Sequence, residues 1–150
     1  MTHKTSSPTA RRHRLRGVAA IEMALLIVPL LVLTLGMTEV GRALYYYNTL
    51  LKSTRDASRW LSTQPAGTGY AIARCLAVYG NTGCTGATVV PNLTTAMVVV
   101  TPETAVATGY GSLDIVTVSV QNYPFASFVP DIITDMVIGN VATTMRQVST

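Results

Sequence analysis

One uninterrupted apolar run, Val18–Thr38, constrains this chain more than any other feature. It reads VAAIEMALLIVPLLVLTLGMT, 21 residues in which Glu22 is the only charge. A helix of this length spans roughly 31 Å, the thickness of the hydrocarbon core of a bilayer. The alternative is a buried core helix, but the run is apolar on all faces and a small domain could not cover it. The run therefore predicts a membrane-spanning helix.

The basic charge of the chain lies almost entirely before this run. Residues 1–17 carry +5 and residues 18–150 carry −1, from six Lys/Arg against seven Asp/Glu, which together give the net +4. A nucleic-acid-binding domain would spread Lys and Arg over a folded face, so nucleic acid is not an expected partner. By the positive-inside rule the basic tail stays in the cytoplasm and the rest crosses the membrane. The tail itself, Met1–Arg16, is expected to lack fixed structure.

The helix is predicted to continue past the run as an amphipathic segment, Glu39–Thr63, which Pro65 and Gly67 end. Within the run, Pro29 removes one backbone donor and predicts a kink. A stripe with spacings of three and four residues is expected to face a partner surface: Val40, Leu44, Tyr47, Leu51, Thr54, Ser58 and Leu61. Tyr45–Tyr47 fit either an interfacial aromatic belt or ordinary packing.

Residues 64–150 predict a small extracytoplasmic domain that begins with a short helix, Tyr70–Tyr79. Cys75 and Cys84 flank a glycine-rich loop, and in an oxidising compartment a disulfide between them is plausible, with two separate thiols as the alternative.

Strands are predicted at Thr94–Thr101, Leu113–Asn122 and Met136–Val148, with Gly139 as a bulge and Tyr123-Pro124 ending the second strand. A connection is expected over Pro102–Gly111 and a helical turn over Asp131–Asp135. In the second strand Val116, Val118 and Val120 share one face. The fold class is therefore α+β: a long N-terminal helix, then a roughly three-stranded antiparallel sheet that lays its apolar face against the helix.

No residue pattern predicts catalysis, a cofactor or a metal site. The two histidines, His3 and His13, both lie in the basic tail. The acids of the C-terminal part are scattered, and the glycine-rich loop at 80–86 lacks the Gly-Lys-Ser/Thr ending of a phosphate-binding loop. The chain is therefore not expected to be an enzyme, and neither a cofactor nor a metal is expected.

The start of the apolar run has its own chemistry. An acid within a membrane segment costs a few kcal/mol, so Glu22 is read as functional unless it is simply hydrated near the headgroups. A cut after Gly17 would give Val18 a free ammonium, four residues from Glu22 and on the same helical face. The two charges could then pair within one chain or between neighbours.

The sequence from Arg16 to Trp60 resembles the TadE-like family, minor pilins (pseudopilins) of bacterial tight-adherence pilus systems, in the type IV pilus group. The resemblance rests on RGVAAIEMALLIVPLL with Gly36, Glu39, Gly41-Arg42 and Ala57 in place. It departs at Met23, where the major pilins of these systems carry Tyr, and this favours a minor pilin. Past Gln64 the resemblance is architectural only.

The resemblance implies a role for each matching residue. Gly17 corresponds to the last residue of a prepilin leader (residues 1–17), Val18 to the first mature residue, and Glu22 to the glutamate that pairs with a neighbour's N-terminus during assembly. It implies residues 18–63 as the assembly helix and a pilin-like domain at 64–150. The implied partners are a prepilin peptidase, other minor and major pilins, the inner-membrane assembly platform and the lipid bilayer.

The implied location is the bacterial inner membrane, with a single pass, a cytoplasmic N-terminus and a periplasmic domain that becomes extracellular when incorporated in a pilus. The alternative is a signal-anchored extracytoplasmic tether, receptor or enzyme that is never processed.

Overall fold

The computed structural model of the chain describes residues 9–128, 130 and 134–147, with side chains from residue 17 onward. It separates into a unit that ends at Val40 and a unit that begins at Gly41, each taken here by itself. The architecture is α+β, as predicted: a long N-terminal apolar helix followed by a small domain with a three-stranded antiparallel sheet.

The first helix, α1, runs over Thr9–Ser62, 54 residues. The predicted end at Thr63 is confirmed within one residue, but the predicted start is wrong, because Thr9–Arg16 are helical rather than without fixed structure. This segment holds neither Gly nor Pro and is rich in Arg, Ala and Leu, which favour helix. It also extends a helix that already exists, so it carries no nucleation cost. The rest of the predicted tail, residues 1–8, lies outside the described residues.

The domain part of α1 buries one face, but not quite the predicted one. Thr54, Ser58 and Leu61 are buried as expected, whereas Val40, Leu44 and Tyr47 of the predicted stripe are 44–60% exposed. Apolar and aromatic residues fill adjacent rows of the helix here, so the spacing alone selected the wrong row. The residues that the helix does bury along this length are Leu50, Ser53, Thr54, Ala57, Ser58 and Leu61.

The second helix, α2, spans Tyr70–Tyr79, as predicted. It lies between two glycines in the left-handed region, Gly69 at φ 78° and Gly80 at φ 70°. The amide of Gly80 donates to the carbonyl of Leu76 at 3.0 Å, which closes the helix.

The main sheet contains β1 (Val98–Thr108), β2 (Gly111–Val120) and β5 (Val141–Gln147), in the antiparallel order β1-β2-β5. Two short strands, β3 (Tyr123–Phe125) and β4 (Met136–Ile138), form a separate antiparallel pair. The predicted apolar face of β2 is confirmed, since Val116, Val118 and Val120 are fully buried.

Strand boundaries differ from the prediction in three places. β1 begins later, after a short 3₁₀ turn at Thr95–Met97, and continues to Thr108 through Pro102, which an edge strand tolerates. Tyr123-Pro124 belong to β3 rather than ending a strand. The predicted third strand is divided at Gly139-Asn140 into β4 and β5, which belong to different sheets, so Gly139 breaks the strand instead of forming a bulge.

The predicted helical turn at Asp131–Asp135 falls mostly outside the described residues, and its last two residues belong to no regular element.

Hydroxyl groups join α1 to the sheet within the domain. Thr54 Oγ1 lies 3.1 Å from Thr143 Oγ1 on β5, and Ser58 Oγ donates to the carbonyl of Thr143 at 3.0 Å. Because these contacts are largely buried, the helix can pack small polar side chains against the sheet without leaving them unsatisfied.

Candidate functional site

The apolar segment of α1 is exposed over its whole length. From Gly17 to Val40 its large apolar side chains are 41–76% exposed, and none of its most apolar stretch is buried. By length and composition it is the one helix among the described residues that could cross a membrane. A core helix would be mostly buried, so the alternative of a buried core helix does not fit this segment.

Gly17, Val18 and Glu22 lie together on this helix. A Cβ built on Gly17 would meet no atom within 4 Å. Val18 is 55% exposed, and Glu22, one turn later, is also exposed. The structure therefore leaves both the Gly17–Val18 bond and the Glu22 carboxylate open to contact from outside this chain.

The helix continues through Pro29 without interruption. Because proline lacks an N–H, the carbonyl of Leu25 one turn earlier loses its usual helical donor. The predicted kink at this position stays a prediction. Two hydroxyls later in the segment are satisfied within the helix: Thr34 Oγ1 donates to the Leu31 carbonyl and Thr38 Oγ1 to the Thr34 carbonyl, both at 2.9 Å.

A shallow apolar groove lies on the exposed helix around Gly36. It is lined by Val32, Leu33, Gly36, Met37 and Val40. A Cβ on Gly36 would meet nothing within 4 Å, so the groove is open to an approaching helix. Small residues at such points allow close helix–helix contact in membranes.

In the domain, Arg42 connects α1 to the β3–β4 pair. Its guanidinium lies 4.1 Å from the ring centroid of Phe128 and 4.7 Å from that of Phe125, and it donates to the carbonyl of Ala126. Tyr46, one turn along α1, packs edge-on against Phe125 with centroids 5.7 Å apart. The sequence offered only the Gly41-Arg42 pair as a signal of this cluster, because its aromatic partners lie more than 80 residues away.

Cys75 on α2 and Cys84 in the following loop form a disulfide. Asn81 orders the same loop: its Oδ1 accepts from the amides of Gly83 and Thr85, and its Nδ2 donates to the carbonyls of Tyr79 and Thr85. The bond belongs to the domain, whereas Gly17, Val18, Glu22 and Pro29 belong to the other unit.

Tyr123 is the one residue with a clearly shifted pKa. Burial raises the pKa of its hydroxyl, the nearby Tyr46 raises it further, and Arg42 lowers it in part. The hydroxyl donates to the carbonyl of Pro91 at 2.7 Å, a bond that requires the proton to be present. The group is therefore a packing residue kept neutral.

Among the residues that the structure describes, no three His, Cys, Asp or Glu side chains come together in a way that could hold a metal ion. The acids Glu103 and Asp114 lie near the bulge of β1, where Asp114 Oδ1 accepts from the amide of Ala105 at 2.8 Å. This carboxylate supports a backbone irregularity at a positive φ of 53°.

Comparison with protein families matches residues 17–59 to TadE-like proteins. The comparisons with curated proteins and with solved structures gave no match. The matched segment lies wholly within α1, begins at Gly17 and includes the exposed apolar segment and the Gly41-Arg42 pair. The chain therefore carries the TadE-like family sequence over residues 17–59, as the resemblance predicted.

Proposed function

We propose that this chain is a membrane-inserted minor pilin that is cleaved after Gly17 and acts in the assembly, priming or function of a Tad-type pilus. The coarser statement, a membrane protein associated with such a pilus, follows from the family match and the apolar helix. One observation carries the proposal: the family match begins at Gly17, where the helix leaves its basic leader and becomes apolar and exposed.

The exposure of residues 18–38 supports a single pass through the inner membrane. Apolar side chains at 41–76% exposure are stable only when lipid or other apolar helices cover them. The five basic residues before the run favour a cytoplasmic N-terminus, and hence a periplasmic domain. This orientation also places Cys75 and Cys84 in an oxidising compartment, which agrees with their disulfide.

Cleavage after Gly17 is supported by the local chemistry of α1. Glycine is the least favourable helix residue apart from proline, by about 1 kcal/mol relative to alanine. The helix is therefore weakest next to the bond that a prepilin peptidase would have to reach. The absence of any neighbour within 4 Å of Gly17 leaves that bond accessible. In this role the chain is a substrate of an enzyme and not itself one.

Glu22 supports assembly with related subunits. An exposed carboxylate on an apolar helix must find a counter-charge or water, because it is costly in the bilayer. After cleavage the ammonium of Val18 of a neighbouring pilin would supply that counter-charge. The groove around Gly36 gives a place where the helix of another minor or major pilin, or of the assembly platform, could approach closely.

The test of cleavage is intact-mass and N-terminal mass spectrometry of the chain recovered from membranes that contain an active prepilin peptidase. We expect a mature chain of 133 residues, from 150 minus the 17 of the leader. Gly17→Val should block cleavage, and Gly36→Val is its matched control, because neither glycine has an atom within 4 Å of an added Cβ. An uncut wild-type chain in these membranes would contradict the proposal and favour an unprocessed signal anchor.

The test of assembly is the amount of this chain recovered with its pilin partners. Glu22→Gln should leave cleavage unchanged but lower recovery about tenfold or more, because a lost interaction of 1.4 kcal/mol already gives a factor of ten. Glu103→Gln, which removes an exposed acid of the domain, is the matched control. Normal recovery of the Glu22→Gln chain would remove Glu22 from the proposal.

A further inference from the structure

The domain has its own exposed apolar side chains, and they are unevenly distributed. Among the described residues from Gly41 onward, eight large hydrophobic side chains are exposed. Six of these eight lie on two elements, the first turns of α1 after Gly41 and the segment of β3–β4 with its connection: Leu44, Tyr45, Tyr47, Phe128, Met136 and Val137. These six residues are called the interfacial patch below.

The two elements of the patch are held together by Arg42. Its guanidinium, on α1, contacts the rings of Phe125 and Phe128 and donates to Ala126 of the β3–β4 connection. Phe128 is nevertheless 76% exposed, and Val137 on β4 is 64% exposed. The fold therefore brings apolar side chains from two distant parts of the sequence to one end of the domain.

That end is the one attached to the apolar helix. The apolar run ends at Thr38, and Arg42 follows it by four residues. Chain connectivity holds Arg42 within about 14 Å of Thr38, whatever the angle at which the domain leaves the helix. The headgroup layer adds about 5–8 Å on each side of the hydrocarbon core, so a domain tethered here begins at the membrane surface.

We infer that the interfacial patch rests in the headgroup region of the bilayer, so that the β3–β4 segment is a second membrane contact beside α1. The patch combines aromatic rings, aliphatic side chains, tyrosine hydroxyls and one arginine, the composition favoured at a membrane–water interface. This inference rests on the proposed membrane insertion of residues 18–38 and adds a lipid contact that the family match, which ends at residue 59, does not include.

The charges around the patch point to neutral lipid. Arg42 is the basic group within it, and Asp135, the described acid of the β3–β4 connection, accepts a hydrogen bond from the amide of Ser127 at 3.0 Å. One positive and one negative charge leave little net attraction for anionic headgroups. Binding should therefore depend on apolar burial and take place on phosphatidylcholine alone.

The experiment uses the full chain reconstituted in phosphatidylcholine vesicles whose acyl chains carry bromine, a quencher of tryptophan emission, near the headgroup or deep in the core. Phe128→Trp and Val137→Trp report on the patch, and the second reporter has no printed role in the Arg42 cluster. Tyr110→Trp is the control, because this side chain is fully exposed at the turn between β1 and β2. The emission of Trp60 is measured in the wild type and subtracted.

We expect shallow bromine to quench both patch reporters about twofold or more, since interfacial side chains lie within about 5–10 Å of the boundary between headgroups and acyl chains. Tyr110→Trp should be unchanged. Absence of quenching at both patch reporters overturns the inference. A signal that instead changes with the ratio of protein to lipid would indicate contact with a second copy, and also overturns it.

A fourth variant, Leu26→Trp, distinguishes failure of this inference from failure of the proposed function. It lies within the apolar run at 71% exposure and should be quenched by deep bromine. If Leu26→Trp is quenched and the patch reporters are not, the membrane anchor stands and only the second contact is wrong. If Leu26→Trp is not quenched, the membrane insertion fails and this inference fails with it.

Discussion

Gln147, the last residue of β5, satisfies the end of α1 by donating from Nε2 to the carbonyls of Leu61 at 3.3 Å and Gln64 at 3.2 Å. Carbonyls at a helix C-terminus have no partner within the helix. The Gln147 side chain is only 2% exposed, so water has little access to replace it. One buried amide thus connects the last strand to the end of the longest helix.

Gln147→Leu should therefore destabilise the domain by about 1–3 kcal/mol, the cost of leaving a buried acceptor unsatisfied. The measurement is thermal unfolding of the full chain in detergent micelles, followed by near-ultraviolet circular dichroism. Arg146→Ala, one residue earlier and exposed, is the matched control and should change stability little. Equal melting temperatures for Gln147→Leu and the wild type would contradict this role.

Arg42→Ala should loosen the β3–β4 segment more than the rest of the domain. Cation–π contacts of this kind contribute about 0.5–2 kcal/mol, and the hydrogen bond to Ala126 is lost as well. Hydrogen exchange should become faster at residues 123–125 and 136–138, while β2 stays protected. Arg42→Lys should recover only part of the effect, because an ammonium cannot stack as a planar guanidinium does. Arg55→Ala, an exposed arginine of the same helix, serves as the control.

Reduction of the Cys75–Cys84 bond should lower the free energy of unfolding by about 1–3 kcal/mol. A closed loop of this size predicts about 3 kcal/mol from chain entropy. The four hydrogen bonds of Asn81 already order part of the loop and reduce that value. The measurement is the melting temperature with and without reductant. The double variant Cys75→Ala/Cys84→Ala should not respond to reductant, and an unresponsive wild type would show that the bond contributes nothing.

Tyr123 should make stability depend on pH only in the alkaline range. Its folded pKa is raised above the unfolded value of about 10, so the folded state holds the proton more tightly. Its contribution is fully present below pH 10 and is lost as the pH rises through the folded pKa. Tyr123→Phe should remove that part of the pH dependence and cost about 1 kcal/mol at neutral pH, through the bond to Pro91. Parallel unfolding curves for both chains above pH 10 would contradict the shift.

The sequence was most informative where one physical effect dominates. A run as apolar as Val18–Thr38 can only be a helix that lipid or other helices cover, and Val116, Val118 and Val120 alternate so regularly that only one face could be buried. Both features were predicted correctly. The helix end near Ser62 was also predictable, because proline and glycine stop a helix whatever surrounds it.

The predictions failed where distant residues decide. Nothing local separates β4 from β5, since Gly139 is compatible with a bulge or a break. The division follows from Met136–Ile138 pairing with β3 while Val141–Gln147 pairs with β2. The cluster around Arg42 was missed for the same reason, because its rings come from Phe125 and Phe128 across the fold. Helical periodicity likewise could not choose between adjacent rows of α1.

β1 forms one edge of the main sheet, and its outward half is poorly suited to adding another strand. Pro102 offers no N–H to a neighbour, and the irregularity between Glu103 and Val106 twists the strand out of line. Proteins anchored in a membrane meet one another at high local concentration, where a flat sheet edge would invite aggregation. With this edge interrupted, crowded copies of the domain can touch without fusing into a continuous sheet, and association is left to the helices.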